Sequence, residues 1–514
     1  MLFALGALWS IAVPLFAAPD EPSHTVRAVS VARGQLGGQE HTPPGRPTVT
    51  DVRVPEVFAS AHSVPACFLH TPGLTAACAP PLSSSRRLVP TGTFMGRYPP
   101  AYYFVVGLPS RWAVSAFGVY LIRLVSAAAT AALLASALST VRRECTGRMA
   151  AGLALALTPM LFFLAGSVNP NGLEVAAGVG LWVALLALHR EPGGPDRRVL
   201  AVRAAVAGSV LANSRPLGPL WLMAIVAFVA AGTGRRQLRS LVKDTAVRHA
   251  AVVTAAFTAA AVAWNVTRHS YDGYGTDRGP QLSTVRFVQE SAGRTWDRLL
   301  QAVGVFGWTD TRAPLLTYAL WVAGVGAVVA LAVSGRDRRR LVALAGLAAA
   351  VVVVPVAGET SKHIGFFWLG RYTLPLAVGV PLLAADAAGP AMRGVVTRLR
   401  LWVGALAAAH VLAFAWAVRR FTLGAPGLGS PRWAPPVPAP MLVTAFALVA
   451  GLYWLRLTTG RASTPGGVNE ELQSRSWTRS FPSPDPSASR SSARDSPVSL
   501  CSSFMEQAGR PPSP

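Results

Sequence analysis

Apolar blocks of about 16 to 25 residues alternate with arginine-rich connections along most of this sequence. A bilayer core about 30 Å thick needs about 20 apolar residues for each spanning helix. Lipid offers no partner for backbone polar groups, so each block is predicted to be a helix. Only 14% of the residues are charged, whereas soluble domains carry about 25%. The predicted fold class is therefore all-α, a polytopic transmembrane bundle of about twelve spans with a long extracytoplasmic first loop.

The predicted spans are residues 2–18, 116–140, 149–166, 172–188, 199–213, 217–231, 250–266, 315–333, 341–357, 373–388, 401–418 and 441–455. Span 2–18 lacks a basic segment before it, which favours an uncleaved first helix, and cleavage after Ala17 or Ala18 is the alternative. The two predicted spans on either side of Arg215 carry the weakest signal, because the first of them is short and contains Arg203.

The arginine-rich short connections all fall on one side when the N-terminus is placed inside. This pattern predicts a multi-pass protein of the plasma membrane with cytoplasmic N- and C-termini, embedded in the lipid bilayer. The net charge of +24 is then explained by the flanks of the spans, so nucleic-acid binding is not predicted. Arginine greatly outnumbers lysine, which indicates a GC-rich bacterial genome.

Six regions follow from these spans. They are the first transmembrane helix at 1–18, an extracytoplasmic loop with interfacial helices at 19–115, transmembrane helices 2–7 at 116–266, a second extracytoplasmic loop at 267–314, transmembrane helices 8–12 at 315–459 and a disordered cytoplasmic tail at 460–514. Segment 284–306 has amphipathic spacing, which fits a helix on the outer membrane surface or an ordinary packed helix.

The four cysteines divide between the two sides of the predicted membrane. Cys67 and Cys78 lie close in sequence in the outer first loop, so a disulfide is predicted between them. The sequence has no cysteine and histidine spacing typical of zinc, and no metal ligands are predicted from it.

Two segments of the first loop carry groups that could do chemistry. Asp20 and Glu21 lie where the first span ends, and a carboxylate there can accept a proton, although a solvated acidic helix end is the alternative. His24 and Arg27 follow about one helical turn apart. Tyr98 and Tyr102 end the loop, where tyrosines also form ordinary interfacial belts.

Two further segments are predicted at the same outer surface. Asn169 and Asn171 form a polar turn, which either lines a cavity or is a simple turn. Lys362, His363, Arg371 and Tyr372 lie in or beside another outer loop. The Arg371 guanidinium can bind phosphate oxygens in a bidentate manner, or it is an interfacial arginine that reaches towards water.

Four stretches in these segments carry a resemblance: PDEPSH at 19–24, YPPAYY at 98–103, GSVNPNG at 166–172 and GRYTLP at 370–375. Together they resemble the DUF2142 membrane family and, more widely, the GT-C superfamily of membrane glycosyltransferases. The resemblance implies a GT-C-like bundle that transfers a sugar from a polyprenyl-phosphate donor to an envelope glycan or protein acceptor.

The resemblance also implies residue roles. Asp20 is the base that deprotonates the acceptor, and Glu21 orients the acceptor or helps to hold a metal ion. Arg97 lies beside a position that is basic in the aminoarabinose branch, where this sequence has Tyr98. Arg371 assists departure of the lipid phosphate, either alone or together with Arg97 or a divalent ion. No cofactor is certain, and a divalent cation, Mg²⁺ or Mn²⁺, stays open.

Two other functions remain open from the sequence. A transporter or flippase of a lipid-linked or envelope precursor would need charged groups deep within the spans. Arg203 and Arg215 are the candidates that the sequence offers, and both are predicted near helix ends. The third possibility is a noncatalytic membrane assembly protein.

Overall fold

The structure is a computed structural model that describes residues 1–43, 47–143, 147–190, 196–272, 282–362, 365–389, 396–424 and 432–458. Over these residues the chain is mostly helical, as predicted. The predicted tail at 460–514 lies outside the described residues. Seven of the described helices are long and apolar enough to cross a membrane, and two further apolar helices, Leu2–Ala12 and Gly218–Gly232, are shorter.

The α-helices are α1 Leu2–Ala12, α2 Glu21–Ala32, α3 Glu56–Ala59, α4 Pro100–Gly107, α5 Ala116–Arg143, α6 Gly147–Ala156, α7 Pro159–Ala165, α8 Pro170–Arg190, α9 Arg197–Ser214, α10 Gly218–Gly232, α11 Arg235–Lys243, α12 Thr245–Thr267, α13 Thr284–Gly293, α14 Thr295–Gly304, α15 Leu315–Gly335, α16 Arg338–Lys362, α17 Gly370–Ala377, α18 Gly379–Ala387, α19 Val396–Leu423 and α20 Ala439–Thr458. The strands are β1 Gln39–His41, β2 Val49–Pro55, β3 Leu88–Thr93, β4 Val305–Phe306 and β5 Thr311–Arg312. The seven candidate spans are α5, α8, α12, α15, α16, α19 and α20.

Each of the twelve predicted apolar blocks is helical, but three are shorter or interrupted. The first helix ends at Ala12 because Pro14 follows Val13, and a residue before proline is driven to the extended conformation that Val13 adopts. Block 149–166 is divided into α6 and α7 by Pro159, which begins the second helix. Block 373–388 is divided into α17 and α18.

The helices differ sharply in what surrounds them. Helix α8 is buried along almost its whole length, so it forms the centre of the bundle. Helix α12 is equally apolar but exposed, with Val252 at 67% and Phe257 at 54% of their accessible surface. Such a continuous apolar surface is unfavourable in water and is covered by hydrocarbon in a membrane. We therefore infer that the exposed surface of α12 faces lipid.

The first loop is a folded region, and its sheet was not predicted. Strand β2 pairs antiparallel with β1 on one side and β3 on the other. Cys67 and Cys78 form a disulfide with their Cα atoms 6.1 Å apart. The chain between them encloses the Arg420 guanidinium of α19, which donates hydrogen bonds to the carbonyl groups of Phe68, Thr71 and Leu74. Arg420 also pairs with Asp310, at 3.1 Å. The disulfide loop is thereby fastened to the helical bundle.

The second loop contains α13 and α14 where segment 284–306 was predicted to be amphipathic. A buried contact fastens these helices to the bundle, since Arg298 donates to Glu359 of α16 at 2.7 Å. The same carboxylate accepts from the Ser291 hydroxyl and from the backbone N–H of Trp368. The described residues of this segment pack against α16 and α17. This packing fits an ordinary packed helix, the second of the two alternatives, better than a helix on the outer membrane surface.

Candidate functional site

Asp20 occupies a turn between α1 and α2. Its φ of 61° is left-handed, a conformation that aspartate tolerates better than most residues. Its carboxylate does not cap α2. The side chain is 35% exposed and contacts Arg371 instead.

Arg371 lies in the first turn of α17, where α14 comes very close. A Cβ on the preceding Gly370 would approach the carbonyl oxygen of Arg298 to 2.0 Å, so only glycine permits this crossing. The Gly370 N–H donates to the Gln301 side chain at 2.8 Å. These contacts fix the start of α17 and therefore the point from which the Arg371 side chain extends.

Asp20 and Arg371 form an ion pair, although 351 positions separate them in the chain. Arg371 Nη2 lies 2.7 Å from Asp20 Oδ2. The Arg371 side chain is 5% exposed, and its buried Nε has no hydrogen-bond partner within the described part of the chain. The pair thus joins a partly exposed carboxylate to a buried cation with an unused donor.

A second arginine, Arg215, contacts the Tyr372 ring, as Arg371 does. Arg215 follows the end of α9 and is extended because Pro216 comes next. Its Cζ lies 4.4 Å from the centroid of the Tyr372 ring, and the Cζ of Arg371 lies 5.0 Å from the same ring. Arg215 Nη2 donates to the Tyr98 hydroxyl over 3.4 Å. The two guanidinium groups therefore share one aromatic neighbour.

A second carboxylate accompanies Arg215. Glu174, in the second turn of α8, is fully buried, and its Oε2 lies 3.6 Å from Arg215 Nη1. Asn171 donates its side-chain amide to the same oxygen at 3.2 Å. Asn169 donates to the Pro19 carbonyl at 3.0 Å, next to Asp20. We call Asp20, Glu174, Arg215, Arg371 and Tyr372 the arginine cluster.

Glu21, the neighbour of Asp20, does not join the arginine cluster. It forms a buried ion pair with Arg123 of α5. Both carboxylate oxygens lie 2.7 Å from Arg123 nitrogens, and Oε1 also accepts from the Val168 N–H. The remaining Arg123 donors reach the carbonyl groups of Ser10, Val13 and Pro14 at the end of α1, which lack helical partners. The geometry favours a structural role for Glu21 over orienting an acceptor or holding a metal ion.

His24 and Arg27 both contact Tyr103 from α2. His24 Nδ1 lies 2.8 Å from the Tyr103 hydroxyl, and the Arg27 Cζ lies 5.9 Å from its ring centroid. Burial lowers the pKa of His24 well below its ordinary value, and the charges of Arg215 and Arg371 lower it further. His24 is therefore a neutral neighbour of the arginine cluster. Arg27 donates to the Tyr98 carbonyl at 3.1 Å and so holds that residue in place.

The other predicted residues lie apart from the cluster or outside the described residues. Arg97 pairs with Glu40 at 2.9 Å and donates to the His269 carbonyl. Tyr102 is buried against Ser126, with 3.0 Å between their hydroxyl oxygens. Lys362 ends α16 and its side chain is not described, and His363 lies outside the described residues.

Comparison with known proteins gives one family. A family model described as a predicted membrane protein, DUF2142, matches residues 3–380. The chain belongs to the DUF2142 family. This result confirms the predicted resemblance to the DUF2142 family and a location in a membrane. A search of curated proteins finds no match.

Two solved structures are similar to this DUF2142 protein. The crystal structure of ArnT from Cupriavidus metallidurans in the apo state is 16% identical with a TM-score of 0.38, covering 70% of this chain and 65% of that one. The structure of ArnT from Cupriavidus metallidurans bound to undecaprenyl phosphate is 15% identical with a TM-score of 0.36, covering 85% and 76%. The DUF2142 chain thus spans less than two thirds of the length of the first of these structures.

Sequence reasoning missed three charged residues of this DUF2142 protein. Arg123 and Glu174 are lone charges inside predicted spans, and Arg215 was considered only for the transporter alternative. Ionisable groups within membrane helices are expensive and are therefore paired or functional. That signal was present in the sequence, but the choice between the two roles depends on the partners found after folding.

A divalent cation does not fit the groups around Asp20. Oxygen ligands such as carboxylates are what Mg²⁺ and Mn²⁺ prefer. Glu21 is occupied by Arg123, and Asp20 is paired with Arg371. Among the described residues, no three His, Cys, Asp or Glu side chains converge to form a site for a metal ion. The proposed reaction therefore has no metal step.

Proposed function

We propose that this protein is a membrane glycosyltransferase of the GT-C type. It transfers a sugar from a polyprenyl-phosphate donor to a cell-envelope glycan or protein at the extracytoplasmic surface of the plasma membrane. The observation that carries the proposal is the 2.7 Å contact between Asp20 and Arg371. It supports the proposal because a base and an anion-binding group for one transfer reaction must lie side by side.

The proposed reaction begins when Asp20 accepts the proton of an acceptor hydroxyl. The acceptor oxygen forms a bond to the anomeric carbon of the donor sugar, and the bond from that carbon to the phosphate oxygen breaks. The configuration at the anomeric carbon inverts, and the lipid phosphate leaves with the bonding electron pair. Asp20 returns its proton to water through its exposed side.

Arg371 has the donors to serve both partners in this reaction. Its Nη2 binds Asp20, whereas its buried Nε has no partner among the described residues. A phosphate oxygen on Nε would be stabilised by a charge-assisted hydrogen bond as negative charge develops on the leaving group. Arg371 is therefore proposed to bind the phosphate, and Asp20 to act on the acceptor.

The test compares the purified wild-type protein with its Asp20→Asn variant, using polyprenyl-phosphate sugars and envelope glycan acceptors. Loss of the base is expected to lower the transfer rate about 10²- to 10⁴-fold. Asp297→Asn is the matched control, because Asp297 is 54% exposed in a surface pair with Arg312. Its transfer rate should equal that of the wild type.

Two outcomes would contradict the proposal. Transfer that survives Asp20→Asn at the wild-type rate would remove Asp20 as the base. Movement of the lipid precursor across liposomes without formation of a glycosidic bond would instead indicate a transporter or flippase. A separate experiment tests the predicted cytoplasmic location of the N- and C-termini. Tags on both termini are assayed for protection from protease in sealed membranes.

A further inference from the structure

Glu174 differs from the other buried carboxylates of the bundle in having an unused oxygen. Its Oε1 is the one buried carboxylate oxygen without a hydrogen-bond partner in the described ranges. Glu21 and Glu359, which are equally buried, each use both of their oxygens. A buried acceptor left unpaired costs about 1–3 kcal/mol, and more when it is charged. Such a group in a native fold calls for a partner that brings a donor.

The contact between Glu174 and Arg215 is also looser than the structural pairs. Their closest nitrogen and oxygen atoms lie 3.6 Å apart, against 2.7 Å for Glu21 with Arg123 and for Glu359 with Arg298. Arg215 Nε is likewise buried and unpaired within the described part. The pair therefore retains one acceptor and one donor for a ligand.

The position of this pair relates it to the proposed phosphate site. Arg215 contacts the Tyr372 ring, and Arg371 contacts the same ring and the Tyr372 hydroxyl. Tyr98 and Tyr372 are half-buried, and both of their rings lie against Arg215, at 5.7 and 4.4 Å from its Cζ. A ligand whose phosphate reaches Arg371 can place its adjoining group beside Arg215 and Glu174 if these tyrosines rearrange.

We propose that Glu174, with Asn171 and Arg215, forms a subsite for the sugar of the donor, an inference that rests on the proposed function. Glu174 Oε1 accepts a hydrogen bond from a sugar hydroxyl near the anomeric phosphate. Asn171 holds the other carboxylate oxygen, and Arg215 Nε donates to an oxygen of the glycosyl phosphate. The ligand class is a hydroxyl-bearing glycosyl phosphate, in which the two unused groups find complementary partners.

The experiment measures the contribution of the sugar to donor binding. The purified full chain in nanodiscs is titrated with polyprenyl phosphate, polyprenyl-phosphate-glucose and polyprenyl-phosphate-mannose. For the wild type, at least one glycosylated lipid should bind about tenfold more tightly than the bare lipid. In Glu174→Gln this ratio should fall to about one-third of that value or less, since a neutral amide is a weaker acceptor. The affinity for bare polyprenyl phosphate should stay within about twofold.

Two further variants distinguish loss of the sugar subsite from misfolding of the protein. Asn171→Ser leaves Glu174 in place but removes its amide support, and it should lower the ratio by a smaller factor. Glu290→Gln is the control, because Glu290 is 43% exposed and pairs with Arg286 on α13. Its ratio should equal that of the wild type. Thermal unfolding of each variant shows whether the fold is intact.

The possible failures are distinguishable. If the wild type binds no polyprenyl phosphate, the proposed function is wrong and the sugar subsite with it. If bare lipid binds and Arg371→Gln weakens this binding, but the wild-type ratio of glycosylated to bare affinity is one, the sugar subsite alone is wrong. An unchanged ratio in both Glu174→Gln and Asn171→Ser would also overturn it.

Discussion

The two neighbouring carboxylates Asp20 and Glu21 belong to regions of opposite character. Glu21 is fully buried in a pair with Arg123, and both partners use their hydrogen-bonding groups. Asp20 is 35% exposed and makes one contact with Arg371, whose Nε is unpaired among the described residues. A saturated pair stabilises a fold, whereas a partly satisfied pair can exchange its partner for a ligand. The difference shows why an acidic dipeptide cannot be assigned one role from sequence.

The largest expected effect on stability comes from breaking the buried ion pair between Glu21 and Arg123. Glu21→Ala leaves the Arg123 charge buried without its partner, which is expected to cost about 3–5 kcal/mol of unfolding free energy. Asp20→Ala should cost far less because Asp20 is partly exposed. Thermal or denaturant unfolding of both variants in the same detergent measures the difference. Equal destabilisation would remove the distinction between the two residues.

The Cys67–Cys78 disulfide, like the ion pair of Glu21 with Arg123, is expected to stabilise the fold. Replacing Cys67 and Cys78 together by serine should lower stability by about 2–4 kcal/mol, because the chain around Arg420 is no longer closed. A reductant should lower the melting temperature of the wild type and leave that of the double variant unchanged. A reductant effect of equal size in both proteins would place the sensitivity elsewhere.

His24 provides a smaller, pH-dependent effect on the side of the arginine cluster. Burial, with Arg215 and Arg371 nearby, lowers its pKa in the folded protein below the ordinary 6.5. At pH values between the lowered pKa of the folded protein and 6.5, His24 is protonated more in the unfolded chain than in the folded protein. The stability contributed by neutral His24 is therefore fully present above about pH 6.5 and is lost as the pH falls. The loss is at most about 1.4 kcal/mol for each pH unit. Unfolding from pH 7.5 to 5.5 should depend less on pH in His24→Gln, and identical profiles would contradict this assignment.

Much of the helical fold could be predicted from the sequence, because apolar blocks long enough for a bilayer have few alternatives to helix. The interruption at Pro14 was overlooked, although a proline and its preceding residue are local signals. The sheet of β1, β2 and β3 was missed because its strands lie in a polar, proline-rich loop and two of them are separated by more than thirty residues, so local hydrophobic periodicity gives little indication of their pairing.

The candidate site was predictable only in part. Motif resemblance selected Asp20, Arg371 and Tyr372, which the structure brings together. It also selected Arg97, which pairs with Glu40 instead. Arg215 and Glu174 join the cluster through the packing of α8 against the connection from α9 to α10, and such pairing of distant segments has no local signature in the sequence.

The most direct test of the division of roles between Asp20 and Arg371 is equilibrium binding of bare polyprenyl phosphate to the wild type, Asp20→Asn and Arg371→Gln. Arg371→Gln should weaken binding about 10- to 100-fold, since a charge-assisted hydrogen bond is lost. Asp20→Asn should bind the lipid at least as tightly as the wild type, because Arg371 no longer has an anionic partner. Binding that is weakened equally by both substitutions would contradict the account.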